Sequence, residues 1–255
     1  MTDLWLLTPQ FFEMPETALS GVVPDHCATN GPHPIKDRSP EAMATVHRPI
    51  ADFAEKAVAR GNRPISIAGD CCASIPVLAG IRRAGVDPVL VWIDAHGDFN
   101  TPETSPSGFL GGMPLAMIVG RGPQGMCGSV GLSPLPEDRV WLIDGRDLDP
   151  LERVAVDRSA LRRTGMAGLG SLQIEAPVHL HLDIDVIDAA EAPANNYPVR
   201  GGPSVSETAV ACRAFADRNQ IVAISVSGWA GALDHDGRTQ AACATILAAL
   251  TGTPI

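Results

Sequence analysis

The chain has 255 residues, of which 45% are hydrophobic, and it carries 29 acidic against 19 basic side chains, a formal net charge of -10. This length and apolar content suffice for one large core, so we expect a single domain over residues 1–255. The acidic excess argues against nucleic acid or an anionic membrane surface as a partner. No apolar run approaches the roughly 18 residues of a membrane-spanning helix, no basic-then-apolar signal segment opens the chain, and the six cysteines lack zinc-finger spacing. These features together predict a reduced, cytoplasmic protein.

Hydrophobic runs alternate with turn residues along the chain. After a first predicted strand at residues 4–7, a Pro- and Gly-rich segment through about Pro40 predicts a long loop over the sheet edge. A helix is predicted from Ser39 to Gly61, with a kink or restart at Pro49. The remaining predicted strands are 65–67, 89–93, 140–143, 178–182 and 221–226, and the remaining predicted helices are 75–84, 114–119, 150–163, 206–217 and 238–250.

The strand at residues 89–93, VLVWI, is apolar at every position. Such a strand is buried on both faces, which is typical of a parallel sheet covered by helices. Together with the alternation of strands and helices, this predicts an α/β fold, a three-layer α/β/α sandwich with a mostly parallel central sheet. In such sheets ligands bind at the carboxyl ends of the strands.

Clusters of potential metal ligands follow two of the predicted strands. Asp94, His96 and Asp98 occupy alternate positions, so their side chains point the same way in extended backbone. Asp183 and Asp185 follow a second strand. Four carboxylates and one imidazole suit Mn²⁺ or Mg²⁺ better than structural zinc. Their four negative charges are too many for one divalent ion to neutralise. Two ions about 3.5–4 Å apart, which share a water and lower its pKa, would balance the charge. The clusters therefore predict a dinuclear hydrolase. The alternative is that both clusters are ordinary polar strand ends.

These clusters also carry a family resemblance. The block DAHGDFNTPETSPSGFLGGMP, with AGDC upstream and LHLDIDVIDAAEAP downstream, resembles the arginase/agmatinase (ureohydrolase) superfamily over most of the chain. The resemblance implies two Mn²⁺ ions, a metal-bridging hydroxide that attacks a guanidinium or related amidine carbon, and a homo-oligomer, either a trimer or a hexamer. The ligands it implies are Asp94, His96, Asp98, Asp183 and Asp185.

Further roles follow from the same resemblance. Asp94 and Asp183 would bridge the metals, and Asp98 would also hydrogen-bond the hydroxide as a catalytic residue. The substrate-binding positions that match the family are Asn100 and Ser107, for an amino-acid carboxylate, and Asp147 and Asp149, for an α-amino group.

Two departures from the family pattern concern the metals and the proton. Cys71 stands where the family has a histidine in its GGDH turn. If Cys71 binds as a thiolate, it is the sixth ligand, and Fe²⁺ or Zn²⁺ becomes a suitable metal. Alternatively, the thiol stays neutral and the neighbouring metal position is vacant. Gly111 replaces a histidine thought to shuttle protons. His181 is a candidate catalytic proton donor on the face of Asp183, or else it packs beneath the metals.

A third departure concerns the substrate. The family's last strand carries a glutamate that pairs with the guanidinium, whereas Ser225, Ser227 and Gly228 here offer no charge. Losing such a pair costs on the order of 3–5 kcal/mol. We therefore expect a neutral or less basic group, an N-hydroxyguanidine, a formimino group or an amide, rather than arginine. The chain also resembles, in Cys71 and in its TPET and LGGM sequences, the family branch that acts on N-hydroxy-arginine.

Two alternatives remain open at this point. The lost glutamate and histidines are also compatible with a catalytically degenerate paralogue that binds metal and a small metabolite or a partner. The third hypothesis is amide deacylation, as in the deacetylase relatives of this fold, which would require a neutral aromatic tunnel and a single zinc.

Overall fold

A computed structural model of the chain describes residues 1–254. Within that range the strands are β1 Asp3–Thr8, β2 Gln10–Phe11, β3 Met14–Pro15, β4 Ala28–Thr29, β5 Arg63–Ala68, β6 Val89–Asp94, β7 Val140–Asp144, β8 Arg162–Thr164, β9 Val178–Asp183 and β10 Ile221–Ser227. The helices in the same range are α1 Pro40–Ala59, α2 Ser74–Arg83, α3 Pro114–Ile118, α4 Gly125–Ser129, α5 Pro150–Asp157, α6 Met166–Leu169, α7 Val205–Ala216 and α8 Arg238–Thr251.

Within residues 1–254, eight strands form one sheet in the order β4-β1-β5-β10-β9-β6-β7-β8, and every neighbouring pair is parallel. β2 and β3 form a separate short hairpin. The mostly parallel three-layer α/β/α sandwich predicted from the sequence is confirmed. Because the last strand in sequence, β10, lies between β5 and β9, the centre of the sheet is built from strands far apart in the chain.

The apolar strands are buried on both faces, as their sequence predicts. All residues of β6 are buried; Leu90 and Trp92 pack toward the layer of α2 and α3, and Val91 and Ile93 pack toward the layer of α7 and α8. This two-sided burial is why the strand lacks polar residues until Asp94, at its carboxyl end. The first polar side chains of the central strands therefore appear at the edge where ligands bind in such sheets.

Helix α1 does not break at Pro49. It is continuous from Pro40 to Ala59, begins under a Ser39 cap and contains Pro49 in its interior. A proline inside a helix costs about 3 kcal/mol. α1 is packed against α2 and buries an apolar stripe on both sides of Pro49, including Met43 and Ile50. This packing overrides the local signal, so the expected restart at Pro49 was wrong.

Two other boundaries differ from the sequence expectations. The helix predicted over 150–163 ends at Asp157, and Arg162–Thr164 is instead the edge strand β8. The segment expected to be a long loop contains the β2/β3 hairpin, a 3-10 helix at Thr17–Val22 and the short edge strand β4. Both edge strands are only two or three residues long, too short to show a periodic pattern. Within residues 1–254, no helix has the length and apolarity needed to cross a membrane.

Candidate metal centre and substrate cavity

The ends of β5, β6 and β9 bring the predicted metal ligands together. His96 Nδ1 lies 2.9 Å from Asp185 Oδ2 and 3.5 Å from Asp94 Oδ1. Cys71 Sγ donates to Asp183 Oδ2 at 2.9 Å. We call the set of these residues and Asp98 the metal floor; its members are Cys71, Asp94, His96, Asp98, Asp183 and Asp185, and all six line one cavity.

The backbone reaches this arrangement through turns. β6 ends at Asp94, so the extended backbone expected through Asp98 was wrong. Asp94 Oδ1 accepts from His96 N at 2.7 Å, and Asp98 has a φ of 47°. Asp183 Oδ1 likewise accepts from Asp185 N at 2.8 Å, at the start of a 3-10 turn. The turns place successive carboxylates around one point, where an extended strand would space them along a line.

Asp98 has a buried carboxylate oxygen that lacks a hydrogen-bond partner in the described chain. Its side chain is buried, and among residues 1–254 no group hydrogen-bonds its Oδ2 atom. Burial and, next, the charge of Asp94 raise the pKa of Asp98 well above its usual range. A buried carboxylate oxygen without a partner is costly. A cation or a polar ligand in the cavity would remove that cost.

The electrostatics of the metal floor also fit cations. Burial and the charge of Asp185 raise the pKa of Asp183 to about 7, and burial and the charge of Asp94 raise the pKa of Asp185 to about 6. Burial alone would lower the pKa of His96, but hydrogen bonds to Asp185 and Asp94 raise it to about 12. Burial raises the pKa of the Cys71 thiol well above its ordinary value, and Asp183 adds to this. Buried carboxylates that lie close together repel one another, and a bound divalent cation offsets that repulsion.

Two groups of ligand atoms overlap at Asp94 of the metal floor, and one of them also includes His181, which lies beneath the floor. One comprises Cys71, Asp94 and His181 and the other Asp94, His96 and Asp185; within each, the atoms lie within 4.8 Å of one another. Asp94 belongs to both groups. These residues thus fit two divalent cations, with an oxygen-rich position and a position that contains sulfur.

The cavity above the metal floor has a volume of about 310 Å³, in the range of small-molecule sites. All four predicted substrate-binding residues line it: Asn100, Ser107, Asp147 and Asp149. Asn100 Nδ2 donates to Asp149 Oδ2 at 2.9 Å, so these two side chains hold each other in place. The Asp147 side chain is 63% exposed, and its Oδ2 atom lies 3.9 Å from His96 Nε2.

Sequence reasoning missed part of the cavity. Phe11, Phe109 and Tyr197, which we call the aromatic wall, line it from three separate segments. The Phe109 and Tyr197 ring centroids lie 4.9 Å apart and those of Phe11 and Phe109 6.4 Å apart. Glu152 was also missed; it lines the cavity, accepts from Phe99 N at 2.8 Å and caps α5. Its position three residues after Asp149 is a capping-box signal that the sequence does contain.

Two glycines lie at positions where the chain departs from the family pattern, one beside the aromatic wall and one beside the metal floor. A Cβ on Gly111 would lie 2.6 Å from Phe109 Cζ, so the Phe109 ring fills the space of a side chain at 111. Gly228 has a φ of 88°, and a Cβ there would lie 2.6 Å from Asp183 Cγ. Position 228 therefore has no room for a side chain while Asp183 keeps its place.

The remaining predicted residues lie beneath the cavity. His181 is buried and stacks on Trp92 with ring centroids 3.8 Å apart, and burial holds its pKa well below its usual range. This placement favours the packed role of His181 over proton donation. Ser225 and Ser227 are buried and contact the His181 ring nitrogens at 3.0 and 3.4 Å.

Comparisons with known proteins agree with this geometry. The model of the Arginase family matches residues 22–252. An arginase of Bacillus caldovelox is 31% identical over 84% of this chain and 77% of its own length. The N(omega)-hydroxy-L-arginine amidinohydrolase of Streptomyces lavendulae is 33% identical over 67% of this chain and 63% of its own.

Solved structures show the same fold. The Bacillus caldovelox arginase superposes with a TM-score of 0.86 over 100% of this chain and 99% of its own, at 24% identity. The formimidoylglutamase of Bacillus subtilis superposes with a TM-score of 0.75 over 100% of this chain and 89% of its own, at 15% identity. The family match, the relatives and the fold together identify the chain as a member of the arginase family, a ureohydrolase-type hydrolase of C–N bonds.

Proposed function

We propose that this chain uses two divalent cations to hydrolyse a C–N bond of a small molecule that bears a guanidino, N-hydroxyguanidino, formimino or amide group. The observation that carries the proposal is Asp94, which is shared by two groups of ligand atoms under a small-molecule cavity. Mn²⁺ is the expected cation, with Fe²⁺ or Zn²⁺ suitable where Cys71 coordinates. Asp94 would contribute to both positions, and the family resemblance implies the same for Asp183.

The chemistry divides between the cations and the protein. When bound, the two cations lower the pKa of a shared water and supply a hydroxide nucleophile near neutral pH. Asp98 lines the cavity, and its Oδ2 atom has no protein partner among residues 1–254, so in this proposal Asp98 would accept the proton of the attacking water. His181, the other candidate proton donor, lies below the cavity. Asp98 is therefore the residue that would return the proton to the departing nitrogen. The aromatic wall lines one part of the same cavity.

Polar residues that line the cavity beside the metal floor suit an amino-acid-like substrate tail. Asn100 Nδ2 donates one N–H to Asp149 and keeps a second N–H for a substrate carboxylate. The Ser107 hydroxyl, which also lines the cavity, can donate to the same carboxylate. Asp147 and Asp149 offer carboxylate oxygens to an amino group. These roles match the ones that the family resemblance implies.

The reacting group is proposed to be neutral or weakly basic. Gly228 supplies no side chain at the wall, and Ser227 lies beneath it, where it contacts Cys71 Sγ at 3.1 Å. A guanidinium would therefore enter a desolvated cavity without the charged partner of the family pattern. N-hydroxyguanidino and formimino groups avoid this cost, and two proteins similar to this chain are named for such substrates.

The test measures cation content and hydrolysis on the same protein. The chain, freed of metal and reconstituted with Mn²⁺, is assayed with N-hydroxy-arginine, arginine, agmatine, formiminoglutamate and simple amides, alongside Cys71→His and Asp98→Asn. We expect about two cations per chain, turnover of N-hydroxy-arginine or formiminoglutamate at least about 100-fold above arginine, and loss of turnover in Asp98→Asn with cations retained. Less than about one cation per chain and no turnover, even in Cys71→His, would contradict the proposal and favour a degenerate binding protein.

The resemblance also supports a homo-oligomer. Light scattering on the purified chain would distinguish a trimer or hexamer from a single chain.

A further inference from the structure

The two groups of ligand atoms in the metal floor differ in chemistry. The group of Asp94, His96 and Asp185 offers carboxylates and one imidazole. The group of Cys71, Asp94 and His181 offers a thiol, a carboxylate and an imidazole. His181 is not part of the ligand set that the family resemblance implies, so its presence in this group needs its own explanation.

The position of His181 follows from the sheet register. In β9 it pairs with Ser225 of β10 and with Trp92 of β6. It lies two residues before Asp183, so its side chain is on the same face of the sheet. The ring is packed on Trp92, whose Nε1 donates to Asp94 Oδ2 at 3.1 Å, so the imidazole is held rigidly beside the shared carboxylate.

The hydrogen bonds around Ser225 determine which His181 nitrogen carries the proton. Ser225 Oγ donates its only proton to Ser74 Oγ at 3.2 Å. His179 Nε2 and His181 Nδ1 each lie 3.0 Å from Ser225 Oγ, so both must donate to it. In a neutral imidazole the other nitrogen is then an unprotonated donor of a lone pair. For His181 that nitrogen is Nε2.

The Nε2 atom of His181 is directed toward the metal floor. It lies 3.4 Å from Ser227 Oγ, which is also 3.1 Å from Cys71 Sγ and donates to Asp183 Oδ2 at 3.4 Å. The lone pair on Nε2 therefore meets only one long contact in the part of the chain that the structure describes. An imidazole with Nδ1 bound to a hydroxyl and Nε2 free is the usual arrangement of a metal-ligating histidine.

We propose that His181 is a metal ligand, which with Cys71 and Asp94 completes a sulfur, nitrogen and oxygen position for a soft divalent cation. The inference rests on the proposed dinuclear site. It replaces the imidazole lost at Cys71 with one from β9, two strands away in the sheet, and makes the two positions unequal. Zn²⁺ or Fe²⁺ would suit the position of Cys71, and Mn²⁺ would suit the oxygen-rich position of His96 and Asp185.

His179 provides a matched control for His181. Both histidines are on the same face of β9, both are fully buried, and both contact Ser225 Oγ at 3.0 Å. His179 lies two residues farther from the strand end and belongs to neither group of ligand atoms in the described chain. A His179→Gln substitution therefore disturbs the same buried network without removing a ligand.

The first experiment follows Co²⁺ binding by absorption in the metal-free chain, using wild type, Cys71→Ser, His181→Gln and His179→Gln. We expect a thiolate-to-cobalt charge-transfer band in wild type, its loss in Cys71→Ser, and in His181→Gln a retained band with changed ligand-field bands. Affinity in His181→Gln should fall by at least the roughly 10–100-fold seen when a residue supporting a ligand is removed, whereas His179→Gln should remain close to wild type. Equal spectra and affinities for His181→Gln and His179→Gln would overturn the inference.

A second measurement needs no substitution. X-ray absorption at zinc, on wild type loaded with about one Zn²⁺ per chain, should show one sulfur and one imidazole around the metal. Sulfur without imidazole, or imidazole without sulfur, would overturn the inference. If either of those results is obtained while two cations bind and substrate is hydrolysed, the proposed function is still supported. If no cation binds, both the proposed function and the inference about His181 are contradicted. Loading with Zn²⁺ and Mn²⁺ together should give about one of each per chain.

Discussion

The metal floor and the aromatic wall of the cavity are built by different means. The floor lies at the carboxyl ends of parallel strands of one sheet, where the pairing of β6 with β9 fixes Asp94 and Asp183. The wall comes from connecting segments far apart in the chain, with Phe11, Phe109 and Tyr197 meeting through side-chain packing alone. The floor matches the family motifs of the sequence except at Cys71, and beside the wall Gly111 stands where those motifs have a histidine. We therefore expect substitutions in the floor to alter the reaction and substitutions in the wall to alter which substrates enter the cavity.

The largest effect is expected from breaking the metal floor. Asp183→Ala removes an oxygen that Cys71 contacts and that we assign to both cations. We expect activity to fall by at least about 1,000-fold, roughly 4 kcal/mol of transition-state stabilisation, and cation content to drop below about one per chain. Activity assays and metal analysis check this, with Asp188→Ala, which caps a surface loop, as the control. Near-normal activity in Asp183→Ala would show that the floor does not act as a unit.

The next largest effect concerns the place where the wall meets the floor. Gly228→Ala combines a positive φ with a collision against Asp183. We expect its free energy of unfolding to fall by about 2–4 kcal/mol. Gly201→Ala is the matched control, because Gly201 has a φ of 81° but no atom within 4 Å of the added Cβ within the described chain, and it should lose only about 1 kcal/mol. Urea unfolding of both variants decides the point; equal losses would mean that Asp183 is not held as described.

A buried histidine outside the cavity shows what burial does without carboxylates. Burial lowers the pKa of His47 to about 4, in contrast to His96, whose carboxylate neighbours raise its pKa. An unfolded histidine titrates near 6.5, so between pH 6.5 and 4 the unfolded chain binds the additional proton, and stability falls as the pH falls through this window.

Replacing His47 should remove this part of the acid sensitivity. In His47→Leu, the loss of unfolding free energy between pH 7 and 4.5 should shrink by about 2–3 kcal/mol. The exposed His26→Asn variant should leave the loss unchanged. Urea unfolding at the two pH values measures it. An unchanged pH dependence in His47→Leu would show that His47 is not buried as a neutral group.

The smallest effect is expected within the aromatic wall. Gly111→Ala places a methyl group against the Phe109 ring edge, which lies at a partly exposed site and can move. We expect a change in kcat/KM of about 10-fold, or 1.4 kcal/mol, that disappears when Phe109→Ala is also present. Gly112→Ala, whose nearest atom is Asn100 Nδ2 at 4.0 Å, is the control. A double-mutant cycle tests the coupling; additive effects would separate Gly111 from the wall.

The floor was predictable because each of its carboxylates follows an apolar strand in sequence. Asp94 and Asp183 mark the first polar position after residues that must be buried on both faces, which is a local pattern. The turn that brings in Asp98, with its positive φ, was not predictable from alternate spacing. Ligand identity was therefore easier to predict than the path of the backbone.

The wall and some element boundaries depended on contacts that the local sequence does not contain. Phe11 and Tyr197 are 186 positions apart in the printed sequence, and nothing local indicates that they line one cavity. Pro49 stays helical because packing against α2 outweighs its intrinsic cost. The edge strand β8 forms because β7 offers it a partner. In each case tertiary packing decided the outcome.

The central place of β10 has a consequence for biosynthesis. In the finished sheet β10 separates two groups of strands that precede it in sequence, β4-β1-β5 and β9-β6-β7-β8, so the two groups cannot be joined until residues 221–227 have been synthesised. Cys71 follows the first group and Asp183 ends the second. The ligand group of Asp94, His96 and Asp185 lies at the ends of β6 and β9, which pair directly, whereas the group that contains Cys71 also needs β5, on the far side of β10. Pairing between strands far apart in sequence is slow, so we expect a nascent chain to bring together the ligands of the oxygen-rich position before those of the Cys71 position.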